Sequence, residues 1–196
     1  MIKTVIFDYA GVLTPTRDKY QFAQKYAKDF GLDTASLLKI LYQDWDKACI
    51  NQISSTTFWQ GIADQLNINP DKLKAMVIDT FPLDPRMIEL VDQIHKTHTT
   101  MIISNQIKDW LEKVIKENHL KDKFDYIIGS YEVKLKKPDK RIYKIALEKS
   151  GCMPEEALFI DDNYNNIAAA KKLGLEVISF KNFKQFKQEF DQYLEE

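Results

Sequence analysis

At 196 residues, with 28 basic and 29 acidic side chains and a formal net charge of −1, the chain is long enough for one substantial buried core and carries no large basic field, so no nucleic-acid partner is expected. No apolar run approaches the length that spans a bilayer, so no membrane partner is expected, and the chain enters a strand without the basic and apolar regions of a secretory signal. Cys49 and Cys152 lie far apart with no spacing for a zinc set and read as packed thiols in a soluble, reducing, cytoplasmic setting.

In chain order, the first expected strand, Ile2 to Phe7, runs straight into Asp8 and then the glycine turn Tyr9-Ala10-Gly11. Parallel strands present their carboxyl ends as ligand sites, although an Asp also starts turns and caps helices. From about Thr16 to Phe81 the spacing is helical, as in Phe22, Tyr26 and Phe30 and then Leu37, Leu38, Leu41 and Tyr42, so three or four helices and no strand are expected there. Phe58, Trp45 and Trp59, in the same stretch, read as packing. The expected organisation is a core of residues 1–15 and 82–196 with a helical insertion at 16–81.

Beyond the insertion, helices are expected at Pro85 to Lys96, Ile107 to Asn118, Asp139 to Ser150 and Asn165 to Leu173, with strands at Thr100 to Ser104, Tyr126 to Gly129, Ala157 to Ile160 and Leu175 to Ser179. Asp84-Pro85 and Met153-Pro154-Glu155-Glu156 place proline and acids in first turns, and Gly151 and Gly174 follow last turns. The strands are continuous apolar runs alternating with helices, which predicts an α/β fold with a five-stranded parallel sheet covered on both faces. The stripe Phe183, Phe186, Phe190 and Leu194, within Asn182 to Glu196, reads as core packing. His95, His98 and His119 have no partner spacing for a metal or a triad and read as surface residues.

Four segments carry the chemistry: Phe7-Asp8-Tyr9-Ala10-Gly11, Ile102-Ile103-Ser104-Asn105, Lys137-Pro138-Asp139, and Phe159-Ile160-Asp161-Asp162-Asn163. In this order they resemble the haloacid dehalogenase (HAD) superfamily, whose motifs are a nucleophilic Asp, a Ser or Thr, a Lys and a terminal acidic pair. The resemblance implies a Rossmann-like HAD core with a small helical cap, here residues 16–81, closing over the sheet's carboxyl edge. It also implies that Asp8 is the nucleophile. Ser104, with Asn105 nearby, would hold a phosphoryl oxygen, and Lys137, singled out from Lys134 and Lys136 by the proline after it, would neutralise nucleophile and phosphate.

A carboxylate attacking a phosphate needs a cation, and Mg2+ held by carboxylates is the usual choice. The resemblance gives Asp8, Asp162 and the backbone carbonyl of Ala10 as its ligands, with Asp161 orienting Asp162 or a metal-bound water and Asn166 standing behind them where many members place another acid. Read without the resemblance, Ser104 is an N-cap, and Asp161, Asp162 and Asn163 simply start the following helix.

Family phosphatases commonly carry a second Asp two residues after the nucleophile, as general acid and base; this chain has Ala10. A methyl group forgoes a contribution typically of about 10²–10⁴-fold. The leading expectation is a Mg2+-dependent phosphatase acting on a small phosphorylated metabolite, resembling the branch with sugar-1-phosphate phosphatases. The alternatives are a 2-haloacid dehalogenase, whose halide leaves without a proton, and a noncatalytic domain that binds a phosphometabolite or a protein. Substrate identity and oligomeric state are open at this level.

Overall fold

A computed structural model of the chain describes residues 1–194; Glu195, Glu196 and the side chain of Leu194, the end of the expected terminal stripe, lie outside the described residues. The elements are β1 (Thr4–Phe7), α1 (Tyr20–Tyr26), α2 (Thr34–Tyr42), α3 (Trp45–Cys49), α4 (Ser55–Leu66), α5 (Pro70–Ile78), α6 (Pro85–Ile94), β2 (Thr99–Ser104), α7 (Lys108–Glu117), β3 (Tyr126–Gly129), α8 (Ser130–Val133), α9 (Lys140–Ser150), β4 (Ala157–Asp161), α10 (Tyr164–Lys171), β5 (Glu176–Ser179) and α11 (Phe183–Leu194). The five strands form one parallel sheet in the order β3-β2-β1-β4-β5, as the alternation of strand and helix predicts.

The unbroken apolar strands are explained by the two covers. Val5 and Phe7 of β1 join Ile102, Leu158 and Ile160 in a cluster on one face, while Ile6 joins Met101, Ile103 and Phe159 on the other. The second face is covered by α9 and α10 through Ile142, Tyr143, Ile167 and Ala170. The first is covered by α6, α7 and α11, and its cluster runs on without a break into Phe22, Leu37, Leu41, Phe58 and Leu73 of the helical segment. Among the described residues no helix is long and apolar enough to cross a membrane, and both cysteines are free.

Several helices begin where a short polar side chain can take an unpaired amide. Asp84 accepts from Arg86 N at 3.0 Å, Asp139 from Arg141 N at 2.9 Å, and Asn69 from Lys72 N at 3.0 Å, with Pro70 and Pro85 in first turns. Gly151 closes α9 in the left-handed conformation, as its position predicts.

The helical segment differs from expectation in holding five helices. The extra one, α3, has five residues, too few to show a 3.6-residue period. The same brevity hid α8, with four. Met153-Pro154-Glu155-Glu156 starts no α-helix; Pro154–Glu156 is a single 3₁₀ turn that passes directly into β4.

The stripe on α11 is core. Phe186 is fully buried and its ring meets that of Phe7 edge-on at 6.2 Å, with Phe180 and Phe190 also in ring contact. Phe186→Ala is therefore expected to lower the unfolding free energy by about 3–5 kcal/mol in urea titrations. A loss under about 1 kcal/mol would mean that α11 does not complete the core.

Candidate active site

Sheet register brings the sequence-predicted residues to one edge. Phe7 stands opposite Ile102 on β2 and Ile160 on β4, so the residues that follow each strand emerge side by side. Asp8 extends the ladder by donating its amide to Ile160 O at 2.9 Å. The chain returns from β3 to β4 across β1, so Asp8 and Asp161 flank the point where strand order reverses, a position where open α/β sheets form a ligand crevice.

After Asp8 the backbone turns tightly, with the amides of Leu13 and Thr14 both reaching Tyr9 O, at 2.9 and 3.1 Å. Gly11 sits in this turn at φ +88°, and a Cβ there would come within 2.5 Å of Asp162 Oδ2. Glycine is thus required twice, by the backbone conformation and by the approach of Asp162.

At the centre lies Lys137. Its Nζ is 2.8 Å from Asp8 Oδ1 and 2.7 Å from Asp161 Oδ2, and its side chain is only 1% exposed. Asn105 holds the lysine's backbone from both sides: its Nδ2 donates to Lys137 O at 2.9 Å and its Oδ1 accepts from Lys137 N at 2.8 Å. Both ends of the Asn105 amide, expected on substrate, are thereby engaged by the chain. Asn166 Nδ2 donates to both oxygens of Asp161, and Asn163 N adds a third donor at 2.8 Å. Asp161 is completely enclosed, with its oxygens occupied by Lys137, Asn163 and Asn166.

Asp8, Asp161 and Asp162 each offer a carboxylate oxygen, all within 4.8 Å of one another. Burial pushes the Asp8 carboxyl up to about 7; the Lys137 ammonium works against this and Asp161 adds to it. Asp162 is also raised, first by burial and then by Asp161, with Arg17 opposing from Nε at 3.3 Å. The reverse holds for Lys137, where burial lowers the ammonium but the neighbouring Asp161 and Asp8 outweigh it, so it stays charged. An all-oxygen donor set short of positive charge suits a hard divalent cation, which would draw both raised carboxyls back to the ionised form. With Asp161 already saturated by donors, Asp8 and Asp162 are the two acids that could hold it, and Ala10, whose carbonyl the resemblance adds, lines the same cavity.

These residues open on a cavity of about 250 Å³ that Asp8, Ala10, Ser104, Asn105, Lys137, Asp162 and Asn166 all line. Its size suits a small ligand, below the roughly 300–1,000 Å³ of drug-sized sites. A wider groove of about 1170 Å³ runs along α7 and β3, away from the acids. Ser104 is buried, and among the described residues its hydroxyl has no hydrogen-bond partner. The N-cap reading of Ser104 is corrected: it ends β2, and α7 begins at Lys108 behind Ile107, with no side-chain cap, because three residues of loop intervene. Asn163, by contrast, does cap α10 by accepting from Asn165 N at 2.9 Å.

The cavity also holds residues that the sequence reading missed, Arg17, Asp18, Lys19, Tyr42, Phe81, Gln106 and Trp110, besides Trp45, whose expected role was packing. Lys19 is 3% exposed, and burial pushes its ammonium down to about 7. The Trp110 indole N–H stands beside the Tyr9 hydroxyl outside hydrogen-bonding geometry. Lys136 is a partly exposed charge that pairs with Asp46 at 2.6 Å and links the Lys137 loop to α3. Arg17 and Lys19 had one available signal, two cations flanking Asp18 a short way after the glycine turn.

A family model for haloacid dehalogenase-like hydrolases matches residues 2–174. A D-ribitol-5-phosphate phosphatase from Bacteroides thetaiotaomicron is 24% identical over 200 residues, spanning 96% of this chain and 97% of its own. The (S)-2-haloacid dehalogenase 1 of Pseudomonas sp. is 23% identical over 194 residues, spanning 90% of this chain and 83% of its own. Among solved structures, an aspartate-to-alanine variant of a HAD family enzyme from B. thetaiotaomicron, in complex with magnesium and inorganic phosphate, aligns with a TM-score of 0.77 at 22% identity, covering 92% of this chain and 95% of that one. The strand-end motifs, the sheet order and a match running from residue 2 to residue 174 agree, and the chain belongs to the haloacid dehalogenase-like hydrolase family.

Proposed function

We propose that this hydrolase is a magnesium-dependent phosphatase of small phosphorylated metabolites in which Asp8 is the nucleophile. The observation that carries the reading is the buried ammonium of Lys137, 2.8 Å from Asp8 at the mouth of a small cavity with a second acid, Asp162, close by. The phosphatase relative and the magnesium- and phosphate-bound structure of similar fold support it. In the same reading, residues 16–81 form a cap over the core of 1–15 and 82–196, supported by Lys19, Tyr42 and Trp45 lining the cavity that Asp8 lines. A cytoplasmic setting is part of it, supported by two unpaired thiols.

Asp8 attacks phosphorus, the bond to the leaving oxygen breaks with its electron pair passing to that oxygen, and an aspartyl-phosphate remains. Lys137 keeps the carboxylate from facing the phosphate dianion alone, and the unengaged Ser104 hydroxyl donates to a phosphoryl oxygen. Asp161, Asn105 and Asn166 act through Lys137, holding its ammonium in place. Water then attacks phosphorus, releasing inorganic phosphate and restoring Asp8. Asp8, Asp162 and the Ala10 carbonyl would hold magnesium, which would neutralise charge on the phosphoryl oxygens when bound. Ala10 supplies no proton, so leaving oxygens that depart as stable anions react best.

That same methyl group favours a second reading, a 2-haloacid dehalogenase in which Asp8 displaces halide, and one relative carries that activity in its name. Halide release from a 2-chloroacid without magnesium, together with no phosphate release from any phosphomonoester, would replace the first reading by the second.

Three outcomes are expected. Phosphate release from a metabolite panel and from p-nitrophenyl phosphate falls about 10³-fold or more in Asp8→Asn, as when a covalent nucleophile is removed; an unchanged rate would rule Asp8 out as nucleophile. Ala10→Asp raises kcat on alkyl phosphates by up to about 10²–10⁴-fold, and far less on p-nitrophenyl phosphate, whose leaving group needs no proton; an equal gain on both would show that the missing proton donor is not the limitation. Magnesium at a hundred times its Kd stabilises the wild type by about 2.7 kcal/mol in thermal unfolding, and Asp162→Asn abolishes most of that gain; a full gain in the variant would remove Asp162 from the metal site.

A further inference from the structure

We propose that Lys19 is a specificity-determining residue of this cavity, and that its ammonium receives an anionic group, a carboxylate or a second phosphate, on the leaving portion of the substrate. The inference rests on the phosphatase reading for the identity of its substrates. Its physical basis is an ammonium with no counter-ion. Lys19 is 3% exposed, at the start of α1, and its Nζ lies 3.1 Å from the Trp45 ring centroid and 4.0 Å from that of Tyr42. Among the described residues no carboxylate lies within ion-pair distance of it.

Two carboxylates stand near it without pairing with it: exposed Asp18, which lines the same cavity and accepts from Tyr20 N at 2.7 Å, and Asp46, which pairs with Lys136. Burial pushes the Cys49 thiol up to about 12, so it provides no thiolate. Of the cavity's two other cations, Lys137 bridges Asp8 and Asp161, and Arg17, half-exposed, already faces Asp162. Two ring faces soften the isolation of an ammonium, but an unpaired buried charge is costly, and burial brings the group to about 7, where it readily gives up its proton unless an anion stands beside it. That cost is removed when a ligand brings the anion.

This cation shares the cavity with the reacting groups but comes from a different part of the chain. Asp8 and Lys137 belong to the sheet edge, whereas Lys19, Tyr42 and Trp45 come from α1, α2 and α3 and their flanks, and all line one space of about 250 Å³. A phosphoryl group over Asp8 leaves the rest of a small substrate against the aromatic pair that holds Lys19. Tyr42 and Trp45, in edge contact at 6.4 Å, fix where that ammonium stands.

The test compares matched substrates that differ only in the extra charge: 3-phosphoglycerate against glycerol 3-phosphate for a carboxylate, and fructose 1,6-bisphosphate against fructose 6-phosphate for a phosphate. The wild type is expected to prefer the anionic member of at least one pair in kcat/KM, and the pair that shows the preference identifies the anion. In Lys19→Met, which keeps the aliphatic stem among the rings, that ratio falls about 10–100-fold, the size of a charge-assisted hydrogen bond, and Lys19→Arg restores part of it. The ratio is the readout, whatever the variants do to each substrate alone. Titration calorimetry of the same four compounds with Asp8→Asn and Asp8→Asn/Lys19→Met, in magnesium, reads the preference without turnover. Failure of all four to be hydrolysed would sink the phosphatase reading and leave calorimetry to decide this inference. Absence of anion preference in both measurements, or a preference that survives Lys19→Met, would overturn it.

Discussion

The bridge from Lys137 to Asp8 and Asp161 is the constraint around which the site is organised. All three groups are almost wholly removed from water, so their mutual attraction must offset three desolvation penalties, and such clusters add little to stability when compared with apolar packing. Removing one partner is another matter, because it strands a buried charge at a cost of about 3–5 kcal/mol. The surrounding bonds follow from this asymmetry. Asn105 clamps the lysine's backbone, while Asn163 N and Asn166 complete Asp161, so loops after β2 and β4 and the segment before α9 are tied to one ammonium.

This bridge forms only because the strand ends are level. In the parallel ladder Phe7 faces Ile102 on one side and Ile160 on the other, and the first polar residues beyond them meet without further folding of the backbone. Three acids gather there around one ammonium, so burial raises Asp8 and Asp162 while Lys137 stays charged. Gly11 lets the loop after Asp8 pass close enough to Asp162 to make the group compact.

Much of this was legible in the sequence. Continuous runs such as Val5-Ile6-Phe7 and Leu158-Phe159-Ile160 announce strands covered on both faces, and the polar residue that stops each run marks its carboxyl end. The proline after Lys137 separates it from Lys136 and Lys134. What stayed hidden depends on packing that periodicity does not encode. Arg17, Lys19, Tyr42 and Trp45 reach the cavity only through the way α1, α2 and α3 pack together, and α3 and α8 are too short to show a period. The alternative of Ser104 as a cap could not be set aside in the sequence, because a polar residue after an apolar strand looks the same whether the helix begins at once or three residues later.

The cavity therefore has two unlike walls. The sheet-edge wall is held by ladder geometry and a buried ion cluster, so its groups have little freedom, and with Ala10 among them it offers no carboxylic proton donor to a leaving oxygen. The helical wall presents aromatic faces and one ammonium without a counter-ion, held by packing alone. Substitutions on the second wall can alter which molecule is accepted without disturbing the bonds that align the first, since no side chain of the Lys137 cluster donates to or accepts from Lys19, Tyr42 or Trp45 among the described residues. Under the proposed reading, choice of substrate and bond cleavage are separable here because one is carried by side-chain packing on helices and the other by backbone register in the sheet.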